Sequence, residues 1–155
     1  MKIEHEPLGF IRTNFKEMEG MPIQSAKSKD EGRIEIKKEF QEGLKDLDGF
    51  SHLILIYYFH KVDGFELKAV PFLDDTQRGI FSIRAPKRPN PLGISVVRLK
   101  RISENIIYFE GADMLDGTPL LDIKPYMEKF DKWEDTKQGW LEEEKGNYIS
   151  DDRFS

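Results

Sequence analysis

Short segments that favour β-strands follow one another along most of this chain, and a single stretch has helical spacing. The strand-like segments lie at 8–15, 32–36, 51–60, 66–73, 80–85, 94–102, 105–112 and 120–126. They do not alternate with helices in the manner of a parallel α/β sheet. The pattern therefore predicts an antiparallel barrel or sandwich. We favour a mainly β fold with a single antiparallel β-barrel, because closure of a sheet removes its exposed edges.

Two segments are distinctive within this pattern. Residues 38–47 predict a short helix, because Phe40, Leu44 and Leu47 are spaced at i, i+4 and i+7. The run Ser51–His60 is continuously apolar and rich in isoleucine and tyrosine. It predicts a central strand that is buried on both faces.

The composition excludes several classes of protein. A chain of 155 residues with 38% hydrophobic residues fits one domain with a real core. The sequence has no cysteine, so disulfides and thiolate metal sites are excluded, and its histidines lack the spacing of a zinc site. No signal peptide or membrane-spanning run is expected. We expect a cytoplasmic protein that binds neither a membrane nor a metal.

The charge is unevenly distributed. The net charge is −5, from 24 basic and 29 acidic residues. Between Thr76 and Ser103, however, seven residues are basic and none is acidic, whereas the part from Tyr126 to Ser155 has nine acids and five bases. Bulk charge does not predict a protein that coats nucleic acid. A local basic face on an acidic protein, or basic strand residues that simply face solvent, are both compatible with this distribution.

The segment 84–95 contains three prolines within six residues. Proline fixes φ and restricts the residue before it, so the segment predicts a stiff, extended loop. Arg84, Lys87, Arg88 and Asn90 lie on this loop and offer groups that suit a carboxylate, a phosphate or a base edge. A rigid connection whose arginines pair with local acids is the alternative interpretation.

The segment 113–126 combines a turn with a polar strand. Asp116-Gly117 predicts a turn that exposes main-chain N–H groups, and Asp122 alternates with apolar neighbours in the strand that follows. Lys124 and Tyr126 end the segment with a charge and an aromatic ring. A carboxylate at the turn suits ribose hydroxyls. A simple hairpin turn with an ion pair is the alternative.

Taken together, these motifs resemble the TsaA-like family, also called TrmO, whose members are tRNA methyltransferases that use S-adenosylmethionine. The resemblance runs from Pro7 to about Tyr126. It rests on Leu8-Gly-Phe-Ile-Arg-Thr13, Gly43-Leu44, Phe50-Ser-His-Leu53, Arg88-Pro-Asn-Pro-Leu-Gly-Ile-Ser95, Asp116-Gly-Thr-Pro119 and Leu121-Asp-Ile-Lys-Pro-Tyr126.

The resemblance implies a β-barrel domain at 1–130, with an acidic C-terminal extension at 131–155 that packs on the barrel or on a partner subunit. It also implies a homodimer, with S-adenosyl-L-methionine bound near the subunit interface. The implied reaction is methylation of N6 on the threonylcarbamoyl-modified adenosine at position 37, in the anticodon loop of tRNA.

The candidate site residues fall into three groups, of which the resemblance implies the donor contacts and the chemistry of methyl transfer to RNA suggests the other two. The donor would contact Pro22, Ile23, Gln24, His60, Lys61, Arg84, Ile94, Leu115, Asp116, Gly117 and Thr118. The catalytic candidates are Asn90 and Asp122, each as an acceptor for the N6 proton, and Tyr126, which would stack on the base. Lys87, Arg88 and Lys124 would hold phosphates of the anticodon loop.

Two alternatives to this function are kept open. In the first, the chain is a methyltransferase of the same fold with another substrate. In the second, it is a non-catalytic β-barrel that binds RNA or regulates a partner. A purely structural module is the least favoured interpretation, because it leaves the clustered proline-rich and Asp-Gly-Thr-Pro motifs without a purpose.

Overall fold

The computed structural model describes residues 1–155. Its strands are β1 (Gly9–Arg12), β2 (Glu31–Ile36), β3 (His52–Tyr58), β4 (Lys68–Ala69), β5 (Arg78–Gly79), β6 (Leu92–Ser103), β7 (Ile106–Glu110) and β8 (Thr118–Pro125). The one α-helix, α1, spans Glu128–Asp131. Single turns or short runs of 3₁₀ helix occur at Ser25–Lys27, Lys38–Leu44, Leu47–Gly49, Ile80–Ser82 and Gly139–Glu143.

Six of the strands close into an antiparallel barrel, in the order β1-β2-β7-β6-β3-β8 and back to β1. Side chains of a strand alternate between its two faces, so every second residue points into the barrel. Ile11, Ile34, Leu53, Ile107 and Phe109 are among the fully buried residues of this interior. The predicted mainly β fold with a closed barrel is confirmed.

Strand β3 differs from its prediction. Leu53, Leu55 and Tyr57 point into the core, whereas Ile54 and Ile56 are only half-buried on the outer face. Burial on both faces was therefore the wrong expectation. The outer isoleucines lie opposite Val96 and Ile94 of β6 instead of beneath a second layer, so this face of the barrel remains apolar and open.

Three further predicted elements are shorter or of another type. Residues 38–47 form two separate 3₁₀ segments instead of one helix. Residues 66–73 contain Pro71, which has no N–H for a ladder, and only Lys68–Ala69 pair as a strand. Residues 80–85 form a 3₁₀ turn and a loop, because the Arg88 guanidinium binds carbonyls that a neighbouring strand would otherwise use.

A second, smaller core lies beside the barrel. It consists of Ala69, Ile80, Ile83, Ala85 and Phe154, the last of which comes from the end of the chain. The C-terminal segment returns here through a bridge between Pro22 and Ile149. The boundary between the two predicted regions, at residue 130, remains a prediction. None of the helices combines the length and apolar character that a membrane span requires.

Candidate functional site

A cavity of about 470 Å³ opens at the end of the barrel where β3 stops and β6 starts. Its apolar walls include Tyr57, Phe59 and Ile94. Its polar lining residues are Gln24, Arg84, Arg88, Asn90, Asp113 and Ser150. The proline-rich loop forms one wall, so the stiffness expected from its three prolines fixes the shape of the site.

The cations of this loop have different partners. Arg84 donates to the side-chain oxygen of Gln24 at 3.0 Å and is otherwise exposed to the cavity. Arg88 donates to the main-chain carbonyls of Ile80, Ile83 and Ala85 at 3.0–3.4 Å, so its observed contacts brace the loop. Lys87 donates to the carbonyl of Ser155 at 3.3 Å. Arg84 is thus the loop cation with its guanidinium available to a ligand.

A hydrogen-bonded row of side chains reaches the cavity from inside the barrel. The Ser95 hydroxyl donates to Asp113 Oδ1 at 2.7 Å, and the Tyr57 hydroxyl lies 2.9 Å from Ser95 Oγ. Because Ser95 has one proton, Tyr57 donates to it. Burial raises the pKa of Asp113 to about 7, and burial followed by the Asp113 charge raises the pKa of Tyr57.

Sequence reasoning did not select this row. Its one visible signal is Ser95, a hydroxyl at an inward position of a strand that otherwise carries apolar residues there. Gly93 makes the row possible, because a Cβ atom at that position would overlap the ring of Tyr57. Asp113 belongs to the predicted motif 113–126, but nothing in the sequence distinguishes it from the other aspartates.

A second group of predicted residues lies in the turn before β8. Asp116 binds Lys16 at 2.7 Å and accepts the Thr13 N–H at 3.1 Å, and the hydrogen bond from Lys16 is the main reason that its pKa is lowered. Gly117 has φ +80°, and a Cβ there would lie 3.9 Å from His60 Nε2. Burial, followed by the charge of Lys61, lowers the pKa of His60.

The predicted site residues are therefore distributed over three places. The cavity brings together Pro22, Ile23, Gln24, Arg84, Arg88, Asn90 and Ile94. The turn before β8 contains Asp116 and Gly117 and lies beside His60. In the same turn, the Leu115 carbonyl accepts a hydrogen bond from the Thr118 hydroxyl at 2.6 Å. Asp122, Lys124 and Tyr126 lie elsewhere, on and after β8.

The position of the β8 residues follows from the strand pairing. Asp122 is opposite Ile56, which is opposite Ile94, so Asp122 and Ile94 are separated by about 10 Å, or two strand spacings. Asp122 forms an ion pair with Lys124 at 2.9 Å. Tyr126 contacts His52 edge-on, at the opposite end of β3 from the cavity. A single chain does not bring Asn90, Asp122 and Tyr126 into one cavity.

The cavity suits a small ligand that carries charges of both signs. A free guanidinium suits a carboxylate, and the Asp113 carboxyl suits a cationic group. Its volume lies within the range of small-molecule sites. No group of three or more His, Cys, Asp or Glu side chains is arranged to hold a metal ion.

Comparisons with known proteins identify the family of this chain. Residues 10–132 match the family described as the tRNA-methyltransferase O N-terminal domain. A probable S-adenosyl-L-methionine-binding protein of Pyrococcus abyssi is 50% identical over 92% of this chain and 78% of its own length. A mouse tRNA (adenine(37)-N6)-methyltransferase is 36% identical over 81% of this chain.

The fold is also similar to a solved structure. The crystal structure of TrmO from Pseudomonas aeruginosa superposes with a TM-score of 0.77 and 34% identity, covering 90% of this chain. This chain spans 63% of that protein and 31% of the mouse enzyme, so both relatives contain parts that have no counterpart here.

Proposed function

This chain belongs to the tRNA-methyltransferase O family, and we propose that it transfers the methyl group of S-adenosyl-L-methionine to N6 of adenosine 37 in tRNA. The names of the Pyrococcus and mouse relatives support the donor and the acceptor respectively. The observation that supports this proposal most strongly is the cavity at the barrel end, which Gln24, Arg84 and Asp113 all line. A tRNA substrate supports the expected cytoplasmic location.

The residues of the cavity fit the donor, which carries a carboxylate, an ammonium group and a sulfonium. We assign the carboxylate to Arg84, whose planar guanidinium forms paired hydrogen bonds. Gln24 already orients that guanidinium. Asp113 is the one carboxyl among the lining residues and faces the cationic part of the donor. Pro22, Ile23 and Ile94 supply apolar contact.

The turn before β8 would extend the donor site on the other side of β3. Asp116, held by Lys16 and Thr13, is suited to accept ribose hydroxyls. Leu115, Gly117 and Thr118 would contribute main-chain groups, and His60 and Lys61 would close the end of the strand. These assignments follow the family resemblance.

Methyl transfer requires mainly that the protein aligns the acceptor nitrogen with the methyl group of the donor. The bound donor supplies an already activated methyl group, so these residues act by placing the acceptor nitrogen in line with it. Well-oriented reactants gain roughly 7–11 kcal/mol from proximity. Asn90 at the cavity, or Asp122, would accept the N6 proton, and Tyr126 would stack on a base. The modification expected on the substrate adenosine is threonylcarbamoyl.

A homodimer completes this proposal. The outer face of β3 and β6 exposes Tyr58, Leu92, Ile94 and Val96 side by side. A two-fold pair through this face would bury an apolar surface that is otherwise in water and would place Asp122 and Tyr126 beside the second copy. Lys87 and Lys124 would then face the phosphates of the anticodon loop, whereas Arg88, whose guanidinium binds three carbonyls, would brace the loop that carries Lys87.

Calorimetric titration with S-adenosyl-L-methionine tests the donor site. We expect wild type to bind and Arg84→Ala to bind about 10- to 100-fold more weakly, as for a lost hydrogen bond to a charged group. Arg101→Ala is the matched control, because Arg101 stacks on Tyr108 on another part of the barrel. Absence of binding to wild type would contradict the proposed cofactor.

Methyl transfer tests the acceptor. Isotopically labelled donor is incubated with tRNA that carries threonylcarbamoyladenosine 37, with unmodified adenosine 37, or with guanosine 37, and the nucleosides are separated. Label at N6 of the modified adenosine is expected. Label on another nucleoside would assign the enzyme to a different substrate, and no label despite donor binding would favour a non-catalytic protein.

A further inference from the structure

A second cavity, of about 450 Å³, adjoins the first and has aromatic walls. Phe72, Phe81, Trp140 and Phe154 contribute to its lining. The two cavities share Ile23, Gln24, Phe72, Phe81 and Arg84, so ligands in them would lie next to each other. Four of its fourteen lining residues, among them Trp140 and Phe154, come from the C-terminal segment, which the assigned donor and acceptor residues do not include.

The walls of this aromatic cavity are held in place by hydrogen bonds. Trp140 Nε1 donates to the Ser82 carbonyl at 2.8 Å and ties the C-terminal segment to the 3₁₀ turn Ile80–Ser82. Arg88 binds the carbonyl of Ile80 in the same turn and that of Ile83 just after it. The main chain of the turn is therefore held, and it presents Phe81, which is 77% exposed, at the mouth of the cavity.

The chemistry of the lining identifies the kind of ligand. Arg84 is the one charged residue, and Gln24 and Gln138 add amide groups that can both donate and accept. Because Arg84 is assigned to the donor carboxylate, the groups left for a second ligand are flat aromatic walls and amides, which suit a nucleobase. An exposed ring at the rim favours a ligand that arrives from outside on a larger molecule, whereas the donor fits the more enclosed first cavity.

We propose that the aromatic cavity receives the adenine base of the tRNA nucleotide to be methylated, turned out of the RNA stack, with Phe81 and Trp140 as its stacking surfaces. This inference rests on the proposed function and deepens it by naming the acceptor subsite. Enzymes that modify a base commonly take it out of the stack in this way. It also gives the C-terminal segment a part in substrate binding.

Tryptophan fluorescence tests the placement of the base. The chain has two tryptophans: Trp140 in the cavity and Trp133, which is 80% exposed. In Trp133→Phe, only Trp140 emits, and we expect quenching when an anticodon stem-loop with adenosine 37 is added to the donor-saturated protein. In the control Trp140→Phe, the remaining Trp133 should show no such quenching. Quenching of Trp140 by S-adenosyl-L-methionine alone would place the donor here and overturn the inference.

Affinity for the stem-loop provides the second test. Phe81→Leu should weaken binding about 5- to 100-fold when the affinity is measured without the donor, as expected for the loss of one stacking surface. Phe65→Leu is the matched control, because Phe65 is also exposed, at 58%, and lines neither cavity. If wild type methylates tRNA and Phe81→Leu binds it equally well, the inference fails and the proposed function stands. If wild type binds no stem-loop, both fail.

Discussion

Asp113 and Asp116 are three residues apart, on two sides of the same end of the barrel, and their carboxyl groups respond oppositely to their surroundings. Asp113 lines the cavity, accepts from Ser95, and has a pKa raised to about 7 by burial. Asp116 lies in the turn, is paired with Lys16, and has a lowered pKa because of that hydrogen bond.

The difference shows how the two regions are built for different tasks. The cavity side keeps a carboxyl group in a poorly hydrated place without an ion pair, which destabilises its charged form. A cationic ligand would stabilise the charged form of Asp113. This side therefore favours binding of a cation, and the unpaired carboxylate lowers the stability of the free protein. The turn side satisfies its carboxylate within the chain, and its task is to fix the main chain around Gly117.

The largest effect is expected from Asp113→Asn. Because the pKa of Asp113 is raised on folding, the free energy of unfolding of wild type is highest below about pH 4 as far as Asp113 is concerned. It falls as pH rises towards 7 and Asp113 ionises. The variant stays neutral, so at pH 8 it should be more stable than wild type by roughly 2–4 kcal/mol, from about 1.4 kcal/mol per pKa unit. Urea unfolding at pH 8 and pH 4 measures this.

The difference between the two proteins should nearly vanish at pH 4. An Asp113→Asn variant that is less stable than wild type at pH 8 would show that the carboxylate is well solvated or paired, and would contradict the distinction between the two aspartates. Donor affinity provides a separate readout, because loss of the carboxylate should weaken binding although it stabilises the fold.

Ser95→Ala is expected to have the next largest effect. The substitution leaves the buried Tyr57 hydroxyl without its acceptor and should lower the free energy of unfolding by about 1–3 kcal/mol. It also removes the hydrogen bond that lowers the pKa of Asp113, so that pKa should rise further. Carboxyl-carbon NMR across a pH titration measures the shift. Tyr57→Phe is the control, since it removes the hydroxyl and leaves no orphaned group.

Much of the fold was predictable because strand periodicity is local. The continuous apolar run Ser51–His60, rich in isoleucine and tyrosine, predicts β3, and the Asp116-Gly117 turn was found from its residue types. The half-burial of the outer face of β3 was not predictable, since it depends on what packs there. The segment 80–85 has strand-like residues, but its carbonyls are bound by Arg88, which no local pattern reveals.

The site was predictable in part for the same reason. Arg84 and Asn90 stand on a loop whose stiffness follows directly from its prolines. Asp113 escaped detection because its raised pKa comes from burial, which depends on parts of the folded chain that are distant in sequence. The contact of Trp140 with the Ser82 carbonyl likewise requires the folded chain, because the two residues are far apart in sequence.

On the turn side, Gly117→Ala probes main-chain geometry. Gly117 has φ +80°, which L-residues rarely adopt, although no atom lies closer than 3.6 Å to the position of a Cβ. We expect a loss of stability of about 1–2 kcal/mol from conformation alone. Gly20→Ala is a matched control for strain, since Gly20 has φ +81° and open space around it, but lies outside the turn. Only the Gly117 variant should also weaken donor binding.

The smallest effect is expected from Lys16→Ala, because Lys16 is 72% exposed and its pair with Asp116 is screened by water. The cost should be about 0.2–1 kcal/mol at low salt and less at high salt. Since the pair lowers the pKa of Asp116, its contribution exists above about pH 4 and disappears as pH falls through that lowered pKa. The stability difference between Lys16→Ala and wild type should therefore shrink on acidification from pH 6 to pH 2. The pH dependence of Asp113 runs in the opposite direction, because ionised Asp113 lowers the stability of wild type more as pH rises. If the loss of stability in Lys16→Ala persists at high salt and at pH 2, the Lys16 side chain stabilises the turn by packing. Asp116 would then no longer serve as the ion-paired carboxylate in the comparison with Asp113.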